Sequence, residues 1–78
     1  MSVQAYILVQ TEVGKSNEVA KAINAIDGVM SAEHVTGPYD VIVRAEAKSI
    51  NELAKVVLTN VQTVKGITRT LTCPIVNL

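Results

Sequence analysis

Seventy-eight residues with seven basic and seven acidic side chains carry no formal net charge, and 49% are apolar although Phe and Trp are absent. A monomer this small buries only about 60% of the surface its unfolded chain exposes, so the aliphatic excess predicts an oligomer interface beside one small core. The basic residues are scattered among acids and only two Tyr are available for stacking, which argues against direct nucleic-acid binding. Cys73 is the single cysteine, which excludes an intrachain disulfide and suits a reducing cytosol. The N-terminal residues show no signal pattern, and no apolar run approaches the roughly 20 residues of a membrane span. The expectation is a single cytoplasmic domain over 1–78.

Residues 3–11 read as a strand in which Val3, Ala5, Ile7 and Val9 alternate with Gln4, Tyr6, Leu8 and Gln10. Both sets contain apolar residues, so both faces of the sheet are expected to be covered. A helix follows at about 15–26, with Val19, Ile23 and Ile26 on its inner face and Ala20 and Ala22 beside them. Gly28 stands where a left-handed C-cap belongs, and Val29 to Val35 form a second strand.

The second half repeats the first. Val41, Val43 and Ala45 alternate with Ile42, Arg44 and Glu46 in a third strand. Ser49 and Glu52 have the S-x-x-E spacing of a capping box. The following helix carries Ile50, Leu53, Ala54, Val57, Leu58 and Val61, an apolar stripe at helical spacing. Gly66 follows, then a fourth strand from Ile67 to about Val76. One shift of 38 residues (64 − 26) aligns Ile26–Val29 with Val64–Ile67, Val3, Ala5 and Ile7 with Val41, Val43 and Ala45, and Val19 and Ile23 with Val57 and Val61. Two such βαβ units predict an α+β, ferredoxin-like β-α-β-β-α-β domain, with both helices on one face of an antiparallel sheet. The face bearing Tyr6 and Leu8 is left open. A second copy packed on it gives a dimeric α/β barrel.

Two segments have the residue types of a binding site. Thr36-Gly37-Pro38-Tyr39-Asp40 joins strands two and three and offers backbone N–H groups, a phenol and a carboxylate, although a plain turn closed by Asp40 accounts for it equally. Thr68, Thr70 and Thr72 alternate along the fourth strand and would line a polar pocket, although Thr is also a good strand former. No catalytic set assembles: His34 is alone, without a nucleophile partner. One His and one Cys cannot supply a tetrahedral metal shell, no phosphate-loop glycine pattern occurs, and no cofactor is implied.

The stretches Gly28-Val29-Met30 and Val35-Thr36-Gly37-Pro38-Tyr39-Asp40-Val41-Ile42-Val43 resemble the effector-binding (RAM) domain of Lrp/AsnC regulators, whose V-x-G-x-[YF]-D turn leads into a strand. Val64-Lys65-Gly66-Ile67-Thr68-Arg69-Thr70 resembles the closing segment of that domain. The resemblance covers nearly the whole chain. It implies homodimers that pack through sheet faces, join into ring-like higher oligomers, and bind amino acids or related metabolites in clefts between dimers. By motif match, Gly37, Tyr39 and Asp40 fall in that cleft, with Thr68 and Thr70 facing it. Full-length relatives carry a helix-turn-helix domain, whereas this chain starts directly in its first strand, so the expected role in transcription is co-assembly with full-length regulators. Competing readings are a small dimeric α/β-barrel enzyme of monooxygenase or isomerase type, which would need His34, Tyr6 or Tyr39 as its proton-transfer group, an amino-acid-binding domain of the ACT type, and a purely structural assembly protein.

Overall fold

The alternation of the first strand settles the architecture. In the computed structural model, which describes residues 2–76, β1 (Val3–Thr11) buries Ala5, Ile7 and Val9 completely and leaves Tyr6 exposed on its other side. Its neighbour β3 (Val41–Ala47) is antiparallel to it, with Ile7 opposite Val43 and Val9 opposite Val41, so the two buried sets share one face. β2 (Val29–His34) and β4 (Ile67–Pro74) flank this pair, also antiparallel, in the order β2-β3-β1-β4. This is the ferredoxin-like arrangement expected from two βαβ halves.

Both helices lie on the face that carries Ile7 and Val43. Helix α1 (Ser16–Asn24) buries Val19, Ala20 and Ile23. Helix α2 runs through residues 50–62: it opens as an α-helical turn (Ile50–Glu52), continues as a π-helical stretch (Leu53–Leu58) and closes as α-helix (Thr59–Gln62). Its buried residues Leu53, Val57 and Val61 join those of α1 and the strands in one aliphatic cluster. The Ser49 hydroxyl accepts the Glu52 N–H at 3.1 Å and caps the first turn, as the S-x-x-E spacing predicts.

The expected stripe on α2 was wider than the observed one. Ile50 and Ala54 face outward, while Leu53, Val57 and Val61 keep a spacing of four. The π-turn is the reason. The Thr59 N–H bonds the Ala54 carbonyl, five residues back, and its hydroxyl reaches the same oxygen at 3.2 Å. Bonding at i+5 unwinds the helix, so every fourth residue stays in line with the core.

The two halves meet through their matching glycines. Gly28 and Gly66 have φ of 92° and 98°, a region open to glycine at little cost. A Cβ on Gly28 would lie 2.7 Å from Val57 Cγ2, and one on Gly66 would lie 3.2 Å from Val19 Cγ2. Val19 and Val57 are themselves related by the 38-residue shift, so each half closes its turn against the helix of the other.

Three boundaries differ from the sequence reading. Strand β2 stops at His34, because the Val35 N–H already bonds the Asp40 carbonyl and closes the loop. Helix α1 stops at Asn24, where the Ala25 and Ile26 N–H groups make short turns back to Ala22 and Ile23. Strand β4 ends at Pro74, although the Ile75 N–H still bonds the Gln4 carbonyl of β1 at 2.8 Å.

Candidate functional site

The loop and the last strand singled out in the sequence meet at one end of β1. On one side of Val9 stands Val41, and on the other stands Thr70. Neighbouring strands lie about 4.8 Å apart, so Asp40 and Thr70 flank the same strand end roughly two strand spacings apart.

Asp40 occupies the point where β3 begins. Its N–H bonds the Val9 carbonyl at 2.9 Å, continuing the ladder by one rung. The next backbone donor along that edge of β1 is Thr11, and the Asp40 carboxylate takes it, with Oδ2 at 2.8 Å from the Thr11 nitrogen. The side chain thus satisfies an N–H that the end of β3 leaves without a strand partner. A carboxylate offers several acceptor positions, so one such bond does not exhaust it. Gln10 adds a second tie across the loop, its amide nitrogen donating to the Pro38 carbonyl at 3.0 Å.

Gly37 is exposed and does not take a positive φ. A Cβ there would meet nothing nearer than the Tyr39 carbonyl oxygen at 4.0 Å. The local backbone therefore does not require glycine at 37. Tyr39 and Asp40 are half-buried.

The threonines do not share one face. Thr70 and Thr72 pair with Val9 and Ile7, which puts them on the helix-covered side of the sheet. Between Gln10 opposite Arg69 and Thr11 opposite Ile67, one residue of β4 is left over, and it is Thr68. Such a bulge breaks the alternation, and Thr68 is exposed there. His34 is exposed, opposite Val41 at the end of β2.

A cavity of about 330 Å³ adjoins this strand end, lined by Glu12, Lys15, Glu18, Lys65 and Gly66. It forms where the β1–α1 turn meets the α2–β4 turn, which are tied by the Glu12 N–H bond to the Gly66 carbonyl at 2.8 Å. Lys15 and Glu18 face each other across the first turn of α1 at 3.8 Å. None of these lining residues was expected from the sequence, because the two turns lie far apart in the chain. The only local signal was the oppositely charged pair at i and i+3 beside Gly14. Among the described residues, no three His, Cys, Asp or Glu side chains group to hold a metal ion, and no helix is long and apolar enough to cross a membrane.

The sequence model of the Lrp/AsnC ligand-binding domain matches residues 4–77. This chain belongs to that family. Part of the homocitrate synthase of Sulfurisphaera tokodaii is 35% identical to it over 72 residues, 91% of this chain. The chain spans 15% of the length of that enzyme. Among solved structures, TTHA0845 from Thermus thermophilus superposes with a TM-score of 0.89 at 26% identity, over 97% of this chain and 95% of the other. The transcriptional regulator NMB0573 of Neisseria meningitidis, solved as its L-Met complex, superposes with a TM-score of 0.81 at 21% identity, over 96% of this chain and 50% of the regulator. That last likeness is one of fold. This chain therefore covers nearly all of the first solved structure and half of the second.

Proposed function

We propose that this Lrp/AsnC ligand-binding domain binds an amino acid or a similar zwitterion at the Gly37–Asp40 loop, and that binding acts through assembly of the domain. The observation that carries this reading is the convergence of the loop and the start of β4 on the end of β1, beside a cavity lined by both signs of charge. A zwitterion needs an acceptor for its ammonium group and donors for its carboxylate. Asp40 supplies the acceptor with the capacity left by Thr11, and backbone N–H groups near Gly37 supply donors. Glycine at 37 leaves room for a ligand to approach the backbone closely. Tyr39 closes one side. Thr68, from the exposed bulge, and Thr70, from the helix-covered face, would add hydroxyls from different faces of the strand end. The fold relative solved with L-methionine supports the ligand class.

The assembly is a homodimer through the open sheet face, with dimers joined into a ring-like oligomer whose seams hold the effector. Full-length Lrp/AsnC regulators are the natural co-assembly partners. A second partner class is favoured by the 35% identity to a segment of homocitrate synthase: the same sensing module serving a metabolic enzyme. The domain is read as a binder rather than an enzyme. His34 and Tyr6 are exposed on separate parts of the surface, and the space between sheet and helices is filled by aliphatic side chains.

Calorimetric titration of an amino-acid panel tests the site against wild type, Asp40→Asn, Thr70→Val and Gly37→Ala, with thermal unfolding of each. Asn retains an oxygen for Thr11 and removes the charge, so lost affinity at nearly unchanged stability is the expected result. Absence of binding below millimolar to wild type, or wild-type affinity in all three variants, would falsify the assignment.

A further inference from the structure

The two outer strands of the sheet differ in what their free edges offer. In an antiparallel ladder, bonded and non-bonded pairs alternate. On β2 the Val35 N–H bonds the Asp40 carbonyl, so the register with β3 turns the backbone groups of Ala32 and His34 outward. The chain closes that edge itself. A bulge breaks it between Val29 and Ser31, and Asn24 Nδ2 donates to the Ala32 carbonyl at 2.9 Å. On β4 the Ile75 N–H bonds the Gln4 carbonyl, so the same alternation turns the N–H and C=O groups of Thr70 and Thr72 away from β1. Among the described residues no strand lies beyond β4, and no backbone bond reaches Thr70 or Thr72 from that side. Pro74 also faces outward, with a carbonyl but no N–H, and the bulge at Thr68 ends the regular edge in the other direction. What remains is a short edge of two complete donor–acceptor residues around Leu71, whose side chain is 46% exposed on the open face.

We infer that β4 is the edge at which this chain adds a second copy of itself, β4 to β4 and antiparallel, about a two-fold axis at Leu71. The two four-stranded sheets then become one continuous sheet. Such an axis sets Thr70 against Thr72 of the second copy, and Thr72 against its Thr70, and each pair exchanges both backbone bonds. The outward N–H groups of the regular edge are thereby satisfied. Leu71 meets Leu71 in the close, non-bonded pair between them, so the row Ile42-Leu8-Leu71 runs on into its mate. Arg69 falls opposite Cys73, and no like charges are opposed. An axis moved to Thr72 sets Thr70 against Pro74, which has no N–H to give, and takes Leu71 away from Leu71. An axis moved to Thr70 sets Thr72 against the bulge. A second copy is the occupant that fits, because the edge is complementary to itself in donors, acceptors and its central apolar side chain. The contact goes beyond the sheet-face dimer and is independent of the ligand reading. A two-fold normal to the sheet keeps both open faces on the same side, so chains joined at β4 can still stack.

Amide hydrogen exchange followed by NMR on the wild-type protein tests the edge. A free edge gives alternating protection, with Leu71 and Cys73 slow and Thr70 and Thr72 fast. Pairing at β4 is expected to slow Thr70 and Thr72 at least about tenfold below the outward amide of His34, since an unpaired edge amide opens at almost no cost. Leu71→Cys in a Cys73→Ser background tests the register. The non-bonded pair brings its two Cβ atoms within reach of a disulfide, so mild oxidation is expected to give a covalent dimer with wild-type circular dichroism. Thr72→Pro removes an outward N–H and none of the β1–β4 bonds, so it is expected to fold and to lose one association step in sedimentation velocity. Fast exchange at Thr70 and Thr72, or a folded Thr72→Pro that assembles like wild type, overturns the pairing. Slow exchange without the Leu71→Cys cross-link overturns the β4-to-β4 register. Where Thr72→Pro fails to fold, the exchange and cross-linking measurements decide. Fast exchange at Thr72 in a protein that still dimerises leaves the sheet-face dimer standing, and a failed amino-acid titration moves none of these readouts, so the failures are told apart.

Discussion

Ile7 and Leu8 are consecutive in β1 and have opposite surroundings. Ile7 is fully buried beneath the helices, within a cluster of aliphatic side chains only. Leu8 is half-buried between Ile42 and Leu71 on the open face, a short distance along the strand from Tyr6, Arg44 and Gln4. The covered face specifies the fold by excluding water. The open face mixes an aliphatic patch with charge, the composition that the proposed dimer interface calls for. A side chain on the first face is therefore expected to govern stability of the chain, and one on the second to govern assembly.

The sharpest separation comes from changing the two neighbours in turn. Ile7→Ala is expected to destabilise the domain by about 2–5 kcal/mol, the usual cost of a cavity in a packed core, measured by urea unfolding. Leu8→Glu is expected to leave helix content intact and shift the protein toward monomer in sedimentation. If Leu8→Glu instead unfolds the chain while Ile7→Ala is tolerated, the roles of the faces are reversed.

Gly28 probes the covered side from the backbone. Gly28→Ala places a methyl group 2.7 Å from Val57 Cγ2 at a φ of 92°, and a loss of about 1–3 kcal/mol is expected from strain and overpacking. Gly14 has a φ of 79°, and a Cβ added there would meet nothing within 4 Å, so Gly14→Ala bears only the conformational term, about 1–2 kcal/mol. Equal thermal shifts for the two would remove the packing contribution. Ser49→Ala, which deletes the α2 cap without touching either face, is expected to cost about 1 kcal/mol, with no change in oligomeric state.

The smallest expected effect on stability belongs to the Gly37–Asp40 loop, the proposed binding segment. Gly37→Ala is sterically free and should leave the melting temperature level or slightly raised, since it restricts the unfolded chain. Saturating amino acid at about 100 times its Kd should stabilise wild type by about 2.7 kcal/mol, roughly 10–20 °C in melting temperature for a domain of this size. That increment should shrink in Gly37→Ala and Asp40→Asn. An undiminished increment in both would confine the loop to a structural role.

Much of the fold was legible because its determinants are local and periodic. Ala5, Ile7 and Val9 alternate, Val19 and Ile23 recur at helical spacing, and the 38-residue shift marks two copies of one unit. The π-turn in α2 was not legible, because Thr59 and Ala54 have no sequence signature for a bond across five residues. The candidate site was legible only as residue types. Asp40 stood out, yet its bond to Thr11 spans 29 positions, and the bulge that displaces Thr68 depends on where β4 registers against β1. The turns that frame the charged cavity are brought together by a backbone bond from Glu12 to Gly66.

The sequence by itself determined the element order, the buried side of β1 and of β3, the two matching glycine turns and the Lrp/AsnC resemblance, because periodicity and turn chemistry act within a few residues. Only the tertiary structure decided which carboxylate oxygen is already engaged, which threonines share a face, and that Arg44 Nε is shielded without a partner among the described residues. Those facts depend on distances between segments far apart in the chain, which register and packing set.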